Sequence, residues 1–393
     1  MSDNRVLSAR PLPAYWLAIA CLSLLVLNLG IDSGFEFLIG AVILVLGAGL
    51  VAGYRPSGSL KNYCLSFCSI LTGLAIAEAY CYFDFVSSPQ MTAGFENSGY
   101  YQDDFDLGYS PQPSRITHAV KMHAGAPIYD VTYTIDEHGL RETPAGNPDA
   151  QCRALFFGGS IMFGEGVENN ETMPFHFVSR SEGKYQGFNF GFHGYGPHQM
   201  LRAVETGRIP DVEGHPRTIA VYQGIPAHVA RSAGKAFWDQ FGPRYEVKSS
   251  GELIYTGPFR SSRYRAIETA FRASYLFRFF QRRVVSSIAY EPDDLDLYTR
   301  ILVQTRSLLK DRYGSDFVIL FWDKGQGDEL SQDIQERLSE LNFRVVLVSD
   351  IIPEIATDRR SLVISEFDHH PNPLAHALIG KNLAHTVGRQ ACG

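Results

Sequence analysis

The stretch ALFFGGSIMFGEGV, residues 154–167, decides how this chain folds. It opens with four apolar residues, the pattern of a strand that is buried on both faces of a sheet. Gly158 and Gly159 follow and let the backbone turn sharply, and the next residue, Ser160, opens a predicted helix. A serine in that position lies among free backbone N–H groups, which can stabilise a developing oxyanion.

Further apolar runs and helix-like stretches alternate after this strand. The runs are residues 218–222, 317–321 and 344–348, and the helix-like stretches are residues 294–313, 330–341 and 373–387. Buried strands that alternate with helices form a parallel α/β sheet. Ligands bind beyond the carboxyl ends of the strands in such sheets, so chemistry is expected in the residues after each run.

Two other segments carry residues that suit a reaction with this serine. In FNFGFHGYGPHQML, residues 188–201, Gly194 or Gly196 can offer a backbone N–H to the same pocket. SEFDHHPNPLAH, residues 365–376, supplies histidines as bases and Asp368 as the carboxylate that orients one of them. Together the segments suit acyl transfer through a serine nucleophile.

Other interpretations stay open on the residues alone. Ser160 also suits a plain N-cap, a role that serine often fills. A phosphate-binding loop lacks its G-x-x-x-x-G-K-[ST] pattern, and a nucleophile elbow needs glycine where Met162 stands. The three histidines and the aspartate of residues 365–376 suit a metal, although they lack the i, i+4 pairing of helical histidine sites.

The three segments, in this order, resemble blocks I, II and V of the SGNH (GDSL-like) hydrolases. The resemblance rests on G-G-S at 158–160, residues 189–194 and D-H-H-P-N at 368–372, and it covers about residues 152–393. It implies a flavodoxin-like three-layer α/β/α sandwich with a parallel sheet. It also implies that Ser160 is the nucleophile, that the N–H groups of Ser160 and Gly194 form the oxyanion hole, and that a C-terminal histidine is the base.

The chain departs from the family pattern in two blocks. Block III normally reads G-x-N-D, but Pro226 stands where its asparagine belongs, so Gln223 and His228 are the candidate replacements for that oxyanion donor. Loss of one such donor costs about 3 kcal/mol of transition-state stabilisation. The last block normally reads D-x-x-H, but Pro371 stands three residues after Asp368.

Two acid–base pairs are therefore available in the last block. A D-x-H arrangement pairs Asp368 with His370, and Glu366 with His369 is the alternative pair. With the first pair, the resemblance implies a serine esterase or O-acyltransferase that acts on an acylated envelope glycan or lipid. The alternative function is a catalytically degenerate SGNH fold that binds or scaffolds glycan, because fold alone does not fix function.

The composition narrows the classes of partner. A formal net charge of −7 argues against a nucleic acid. The cysteines form no C-x-x-C pair and no Cys/His set with zinc spacing. We therefore expect no metal and no other cofactor, and protein partners stay open.

The first 85 residues contain three apolar segments, at 13–31, 35–54 and 63–83. Each has about the 20 residues that a helix needs to cross a bilayer. Basic residues precede the first segment and lie in the loop between the second and the third, whereas the loop after the first segment and the stretch after the third carry acidic residues. The positive-inside rule therefore places everything after residue 85 outside the cytoplasm. The basic residues are Arg5, Arg10, Arg55 and Lys61.

These patterns predict a multi-pass protein of the inner (cytoplasmic) membrane with a periplasmic or extracellular catalytic domain. Residues 1–85 form a three-helix transmembrane module, residues 86–150 a linker and leading segment, and residues 151–393 the SGNH-like domain. Cys152 and Cys392 are the only cysteines outside the membrane module, and an oxidising compartment permits a disulfide between them.

An arginine-rich insert at residues 260–283 is predicted to contain an amphipathic helix. Phe271, Tyr275 and Phe279 recur every four residues among seven arginines. Such a helix either rests on the membrane surface or an anionic glycan, or packs its aromatic side chains onto the domain.

The predicted topology can be tested with alkaline phosphatase fusions. A fusion after Ser88 should be active, because this site lies outside the cytoplasm, and a fusion after Ser57 should be inactive. The reverse pattern of activity would contradict the assigned orientation.

Overall fold

The computed structural model describes ten parts of the chain. They are residues 59–87, 91–95, 100–143, 147, 150–210, 217–261, 264, 274–285, 290–323 and 329–388. Two compact units are present, one formed by Met1–Gln90 with Arg263–Ser287 and the other by Met91–Ser262 with Ile288–Gly393. The arginine-rich insert thus belongs largely to the N-terminal unit, and the leading segment after residue 90 belongs to the second unit, here called the C-terminal unit.

The strands of the C-terminal unit alternate with helices from residue 152 onward. The strands are β1 Met91–Phe95, β2 Tyr101–Asp104, β3 Gly108–Pro111, β4 Arg115–His123, β5 Ala126–Ile135, β6 Cys152–Phe157, β7 Tyr185–Asn189, β8 Arg217–Gly224, β9 Pro243–Val247, β10 Leu253–Pro258, β11 Asp316–Phe321 and β12 Arg344–Leu347. The helices of both units are α1 Ser59–Ser87, α2 Ser160–Phe163, α3 Met173–Arg180, α4 Pro197–Glu205, α5 Ala227–Ser232, α6 Tyr275–Val285, α7 Pro292–Tyr313, α8 Glu329–Glu340, α9 Val348–Ile351, α10 Glu354–Thr357 and α11 Pro373–Leu383. Single turns of 3₁₀-helix at Asn169–Glu171 and Arg359–Leu362 and a π-helical turn at Ala384–Gly388 complete the helical segments of the described residues.

The central sheet has five parallel strands in the order β7-β6-β8-β11-β12. Numbered along the chain from β6, this is the order 2-1-3-4-5 of a flavodoxin-like sheet. The predicted runs at 218–222, 317–321 and 344–348 coincide with β8, β11 and β12 to within two residues at each end.

Helices cover both faces of this sheet because successive side chains of a buried strand point to opposite sides. Phe156 of β6 belongs to a core with residues of α3 and α11. Its neighbours Leu155 and Phe157 belong to a second core with residues of α4, α7 and α8. The result is the predicted three-layer α/β/α arrangement.

The strand order fixes where a ligand can bind. The chain leaves β6 toward α3 on one face and leaves β8 toward α7 on the other, and the two strands are neighbours. A crevice forms beyond the carboxyl ends of strands where the connections diverge in this way. Ser160, at the start of α2, follows β6 at this point.

The leading segment, residues 86–150, is more than a linker, because it contains five antiparallel strands. β1, β4 and β5 form one sheet and β2 pairs with β3. The register between β4 and β5 shifts between Lys121 and Met122, which marks a β-bulge. Bulges change the direction in which a side chain points and are frequent beside active sites.

Arg141 ties this segment to the turn that follows Ser160. Its side chain is fully buried and donates to the carbonyl oxygens of Val167 (2.8 Å) and Gly164 (3.3 Å) and to Oδ1 of Asn169 (2.8 Å). The guanidinium also lies over the ring of Phe163, 4.6 Å from its centroid. Sequence analysis gave this arginine no role.

The N-terminal unit pairs α1 with α6. Glu78 of α1 is buried and accepts hydrogen bonds from Oγ of Ser274 (2.7 Å) and from N–H of Leu276 (3.0 Å). A carboxylate in this place satisfies free N–H groups at the start of α6. Tyr275 and Phe279 of the predicted amphipathic helix lie in α6, whereas Phe271 lies outside the described residues.

The third predicted membrane segment, residues 63–83, is helical within α1. Among the helices that the structure describes, none combines the length and the apolar character needed to cross a membrane. The first two predicted segments, residues 13–31 and 35–54, lie outside the described residues.

Cys152, at the start of β6, is disulfide-bonded. Its partner is not among the described side chains, and Cys392 lies outside the described residues. The pairing of Cys152 with Cys392 therefore stays a prediction.

Replacement of Arg141 should destabilise the C-terminal unit strongly. Arg141→Met removes three hydrogen bonds from a buried charged donor, to the carbonyl oxygens of Val167 and Gly164 and to Oδ1 of Asn169, and each bond of this kind contributes about 1.5–3 kcal/mol. We expect the free energy of unfolding, measured by denaturant titration, to fall by at least about 3 kcal/mol. Arg300→Met removes an exposed pair with Asp296 and should cost under about 1 kcal/mol. Equal losses in the two variants would contradict the role of Arg141.

Candidate active site

The structure brings Ser160, His370 and Asp368 into one hydrogen-bonded chain. Oγ of Ser160 lies 2.8 Å from Nε2 of His370, and Nδ1 of His370 lies 2.6 Å from Oδ1 of Asp368. The serine and the histidine are 210 residues apart in the chain, so the fold alone makes this contact. Because an ionised carboxylate only accepts, Nδ1 carries the proton and Nε2 is left to accept from the serine hydroxyl.

The glycine turn after β6 positions Ser160. Gly159 occupies the N-cap of α2, and Gly164 ends this short helix in the left-handed conformation with φ of 85°. The hydroxyl of Ser160 points to His370 and makes no capping bond, so the N-cap interpretation does not describe this serine. In the described part of the chain, the N–H of Ser160 also meets no acceptor.

The loop after Leu362 positions Asp368 and His370. Val363 and Pro371 form an isolated bridge, and N–H of Ile364 donates to the carbonyl oxygen of His370 (2.9 Å). The carboxylate of Asp368 also accepts from N–H of His370 (3.0 Å), which fixes both residues in one orientation. The Asn372 side chain then caps α11 at Ala375, so the loop is closed at both ends.

The alternative pair, Glu366 and His369, is exposed and does not join this chain of hydrogen bonds. His376 is fully buried, and its Nδ1 accepts from N–H of Met173 (3.1 Å). Burial lowers the pKa of His376 to about 3, so it is neutral and serves the packing of α11 on α3. The histidines of residues 365–376 therefore do not converge on a common metal position.

Sequence analysis missed three residues that surround the predicted base: Lys121, Glu165 and His193. Nζ of Lys121, at the bulge in β4, lies 2.7 Å from Oδ2 of Asp368 and 3.2 Å from Oε1 of Glu165. Nδ1 of His193 donates to Oε2 of Glu165 (2.7 Å). That same oxygen lies 3.7 Å from Nε2 of His370.

The charges of these groups are mutually dependent. Burial opposes ionisation of Asp368, but the hydrogen bonds from His370 and Lys121 lower its pKa to about 2. Burial also opposes ionisation of Glu165, yet the neighbouring His193, His370 and Lys121 lower its pKa well below the ordinary range. Burial lowers the pKa of His370, and this effect is outweighed by Asp368 and Glu165, so the net pKa is raised above 6.5.

The ammonium group of Lys121 supplies the positive charge that pairs with the carboxylates of Asp368 and Glu165. Donor atoms of Glu165, Asp368 and His370 lie within 4.8 Å of one another, a spacing that small metal sites share. Lys121, however, contacts both carboxylates, and His370 uses both ring nitrogens for Asp368 and Ser160. We therefore assign the cluster to an ion-paired network of the chain itself.

The predicted oxyanion donor Gly194 lies in the turn after β7. Its φ of 75° suits glycine, and a side chain there would lie 2.5 Å from Nε1 of Trp238. The carbonyl oxygen of the next residue, Tyr195, lies 3.1 Å from the point where a Cβ on Gly159 would stand, so the turn packs against the glycines before Ser160. Among the described residues, no acceptor bonds to the N–H of Gly194.

Both candidates for the missing block III asparagine lie against the glycine turn. Gln223 and His228 are fully buried. The Gln223 amide lies 3.1 Å from the Cβ position of Gly158, and Nε2 of His228 lies 3.4 Å from that of Gly159. Both side chains thus pack against the two glycines that precede Ser160.

Comparisons with solved structures give GDSL proteins. A lipolytic protein of the G-D-S-L family from Veillonella parvula has 13% identity and a TM-score of 0.35, covering 61% of this chain and 99% of that one. A putative lipolytic protein of that family from Desulfitobacterium hafniense has 9% identity and a TM-score of 0.36, covering 60% and 99%. A GDSL-like lipase from Bacteroides thetaiotaomicron has 12% identity and a TM-score of 0.31, covering 61% and 89%. No protein-family profile and no curated protein matches the chain.

The raised pKa of His370 predicts how reactivity depends on pH. Nε2 accepts the serine proton only when the ring is neutral, so the rate of labelling by a fluorophosphonate should fall as pH drops through the raised pKa. We expect half-maximal labelling at a pH above the ordinary histidine value of 6.5. A midpoint at or below 6.5 would contradict the assigned surroundings of His370.

Proposed function

We propose that this chain is a serine esterase or O-acyltransferase of the SGNH type, anchored in the membrane, with Ser160, His370 and Asp368 as its catalytic residues. The observation that carries the proposal is the unbroken hydrogen-bonded chain from Oγ of Ser160 through His370 to Asp368. Its distances match those of a nucleophile, a base and an orienting carboxylate. The flavodoxin-like order of the sheet and the place of Ser160 at the switch point support the same assignment.

The first half of the reaction forms an acyl-enzyme. Oγ of Ser160 attacks the ester carbonyl carbon while its proton passes to Nε2 of His370. The carbonyl oxygen takes the electron pair and is stabilised by the N–H groups of Ser160 and Gly194. The tetrahedral intermediate then collapses, the ester C–O bond breaks, and the imidazolium of His370 gives its proton to the leaving alkoxide.

The second half returns the enzyme to its starting state. Water, or a sugar hydroxyl in the transferase reaction, attacks the acyl carbon and gives its proton to His370. Collapse breaks the bond to Oγ, and the proton returns from His370 to Ser160. Asp368 keeps the imidazole oriented through both halves, and Lys121 keeps Asp368 in place.

The proposed substrate is an acylated glycan or lipid of the cell envelope. Support comes from the apolar segments of the first 85 residues, which predict a membrane anchor, and from the disulfide of Cys152, a bond typical of oxidising compartments. Mass spectrometry of envelope glycans from a deletion strain, together with assays of the full chain on short acyl esters, tests the substrate class and the choice between water and hydroxyl acceptors.

Labelling of the full-length chain with a fluorophosphonate probe tests the catalytic assignment. Ser160→Ala should abolish labelling, because the probe reacts with the nucleophile itself. His370→Ala should slow labelling by at least about 100-fold, the usual contribution of a general base. The matched variant His369→Ala should keep most of the reactivity, because His369 is exposed outside the hydrogen-bonded chain.

The combined variant gives a further check. Residues that act as one catalytic unit are not additive, so Ser160→Ala with His370→Ala should hydrolyse esters scarcely more slowly than either single variant. Undiminished hydrolysis by Ser160→Ala would remove the serine mechanism. Suppression by His369→Ala alone would move the base to His369 and its partner to Glu366. An unreactive native chain would favour the degenerate, glycan-binding alternative.

A further inference from the structure

A second carboxylate lies beside the base and has no role in the proposed reaction. Oε2 of Glu165 stands 3.7 Å from Nε2 of His370, the nitrogen that also lies 2.8 Å from Oγ of Ser160. The Glu165 side chain is 15% exposed, so water screens this contact only in part. The position is therefore one from which a negative charge acts directly on the nitrogen that carries the moving proton.

The turn that holds Glu165 is fixed on both sides. N–H of Gly166 donates to the hydroxyl of Tyr133 (2.8 Å), and Arg141 binds the carbonyl oxygens of Gly164 and Val167. The carboxylate itself is held by Lys121 and by His193, as described above. Held by backbone and side chain alike, Glu165 has a defined distance to His370.

Charged and titratable groups come to His370 and Glu165 from several structural elements. Asp368 comes from the same loop as His370, Lys121 from β4, and Glu165 from the turn after α2. His193, from the turn after β7, donates to Glu165, and the hydroxyl of Tyr129 of β5 lies 3.5 Å from Oε1 of Glu165. His376 of α11 is buried and neutral, because burial lowers its pKa to about 3.

We propose that Glu165 is a positioning residue whose carboxylate favours the protonated form of His370, and that Lys121 limits this effect by binding both carboxylates. The inference rests on the proposed function, since it concerns the base of that reaction. Imidazolium formed during attack by Ser160 then lies between Asp368 at 2.6 Å and Glu165 at 3.7 Å. The same arrangement makes His370 a stronger base, so in the free enzyme His370 already becomes protonated at a higher pH.

Removal of the charge of Glu165 and removal of the charge of Lys121 should move the midpoint of the acid limb of labelling in opposite directions. Glu165→Gln keeps the shape and an acceptor for His193 but removes the negative charge. The midpoint of the acid limb of fluorophosphonate labelling should fall by about one pH unit. The rate on the plateau at high pH should also fall several-fold, because a less basic His370 removes the serine proton less well.

Lys121→Met removes the positive charge, so the same midpoint should rise, by about half a unit to one unit. Lys121→Arg retains the charge and should restore the midpoint close to the native value. Two exposed positions provide matched controls for a change of net charge alone: Glu182→Gln and Lys310→Met should leave the midpoint unchanged. All variants are measured in the full-length chain, with the midpoint and the plateau read from the same pH series.

The outcomes separate this inference from the function on which it rests. If the midpoint of the acid limb in Glu165→Gln does not move, or if it rises, the role of Glu165 is overturned. Labelling of the native chain would still support the serine mechanism. A shift of Glu165→Gln and Lys121→Met in the same direction also overturns it, because general distortion of the site then explains both. A native chain without any labelling overturns the proposed function and this inference together.

Discussion

The buried charge of Asp368 constrains the whole site, because its side chain is only 2% exposed. A carboxylate removed from water in this way is costly unless it is paired and fully hydrogen-bonded. The ring and the backbone N–H of His370 satisfy one oxygen, and the ammonium of Lys121 satisfies the other. Two segments that are 247 residues apart must therefore meet before the carboxylate that orients His370 is fully paired.

The architecture brings these segments together at one edge. The parallel sheet places Ser160 and the turn of Gly194 at the carboxyl ends of β6 and β7, and the loop before α11 adds Asp368 and His370. The antiparallel strands of residues 91–135 supply Lys121, and Arg141 binds the turn that carries Glu165. The leading segment thus contributes a charged side chain to the proposed site as well as contacts to its turn.

The sequence predicts those features of the fold and the site that depend on local patterns of residues. Four apolar runs predict strands of the central sheet, since burial on both faces leaves a continuous apolar signal. Ser160 stands out because it closely follows such a run, and Asp368 and His370 stand out because they lie together just before the last predicted helix. Lys121 gives no local signal, since a lysine in an exposed strand looks the same as one that pairs with a distant carboxylate. Gln223 and His228 show the converse: they have suitable chemistry and position along the chain, yet packing buries both against Gly158 and Gly159.

The formal charges of the site show what Lys121 and Glu165 contribute beside Asp368 and His370. Asp368 and Glu165 carry two negative charges and Lys121 one positive charge, so with neutral His370 this group of four has a net charge of −1. In the proposed reaction, uptake of the serine proton brings the group to zero when the negative charge develops on the substrate oxygen. The network would therefore stabilise the imidazolium side of the charge separation. The asparagine of the SGNH pattern is absent from this sequence, where Pro226 stands in its place. The proposed reaction therefore depends more on the basicity of His370 than on an asparagine donor to the oxyanion.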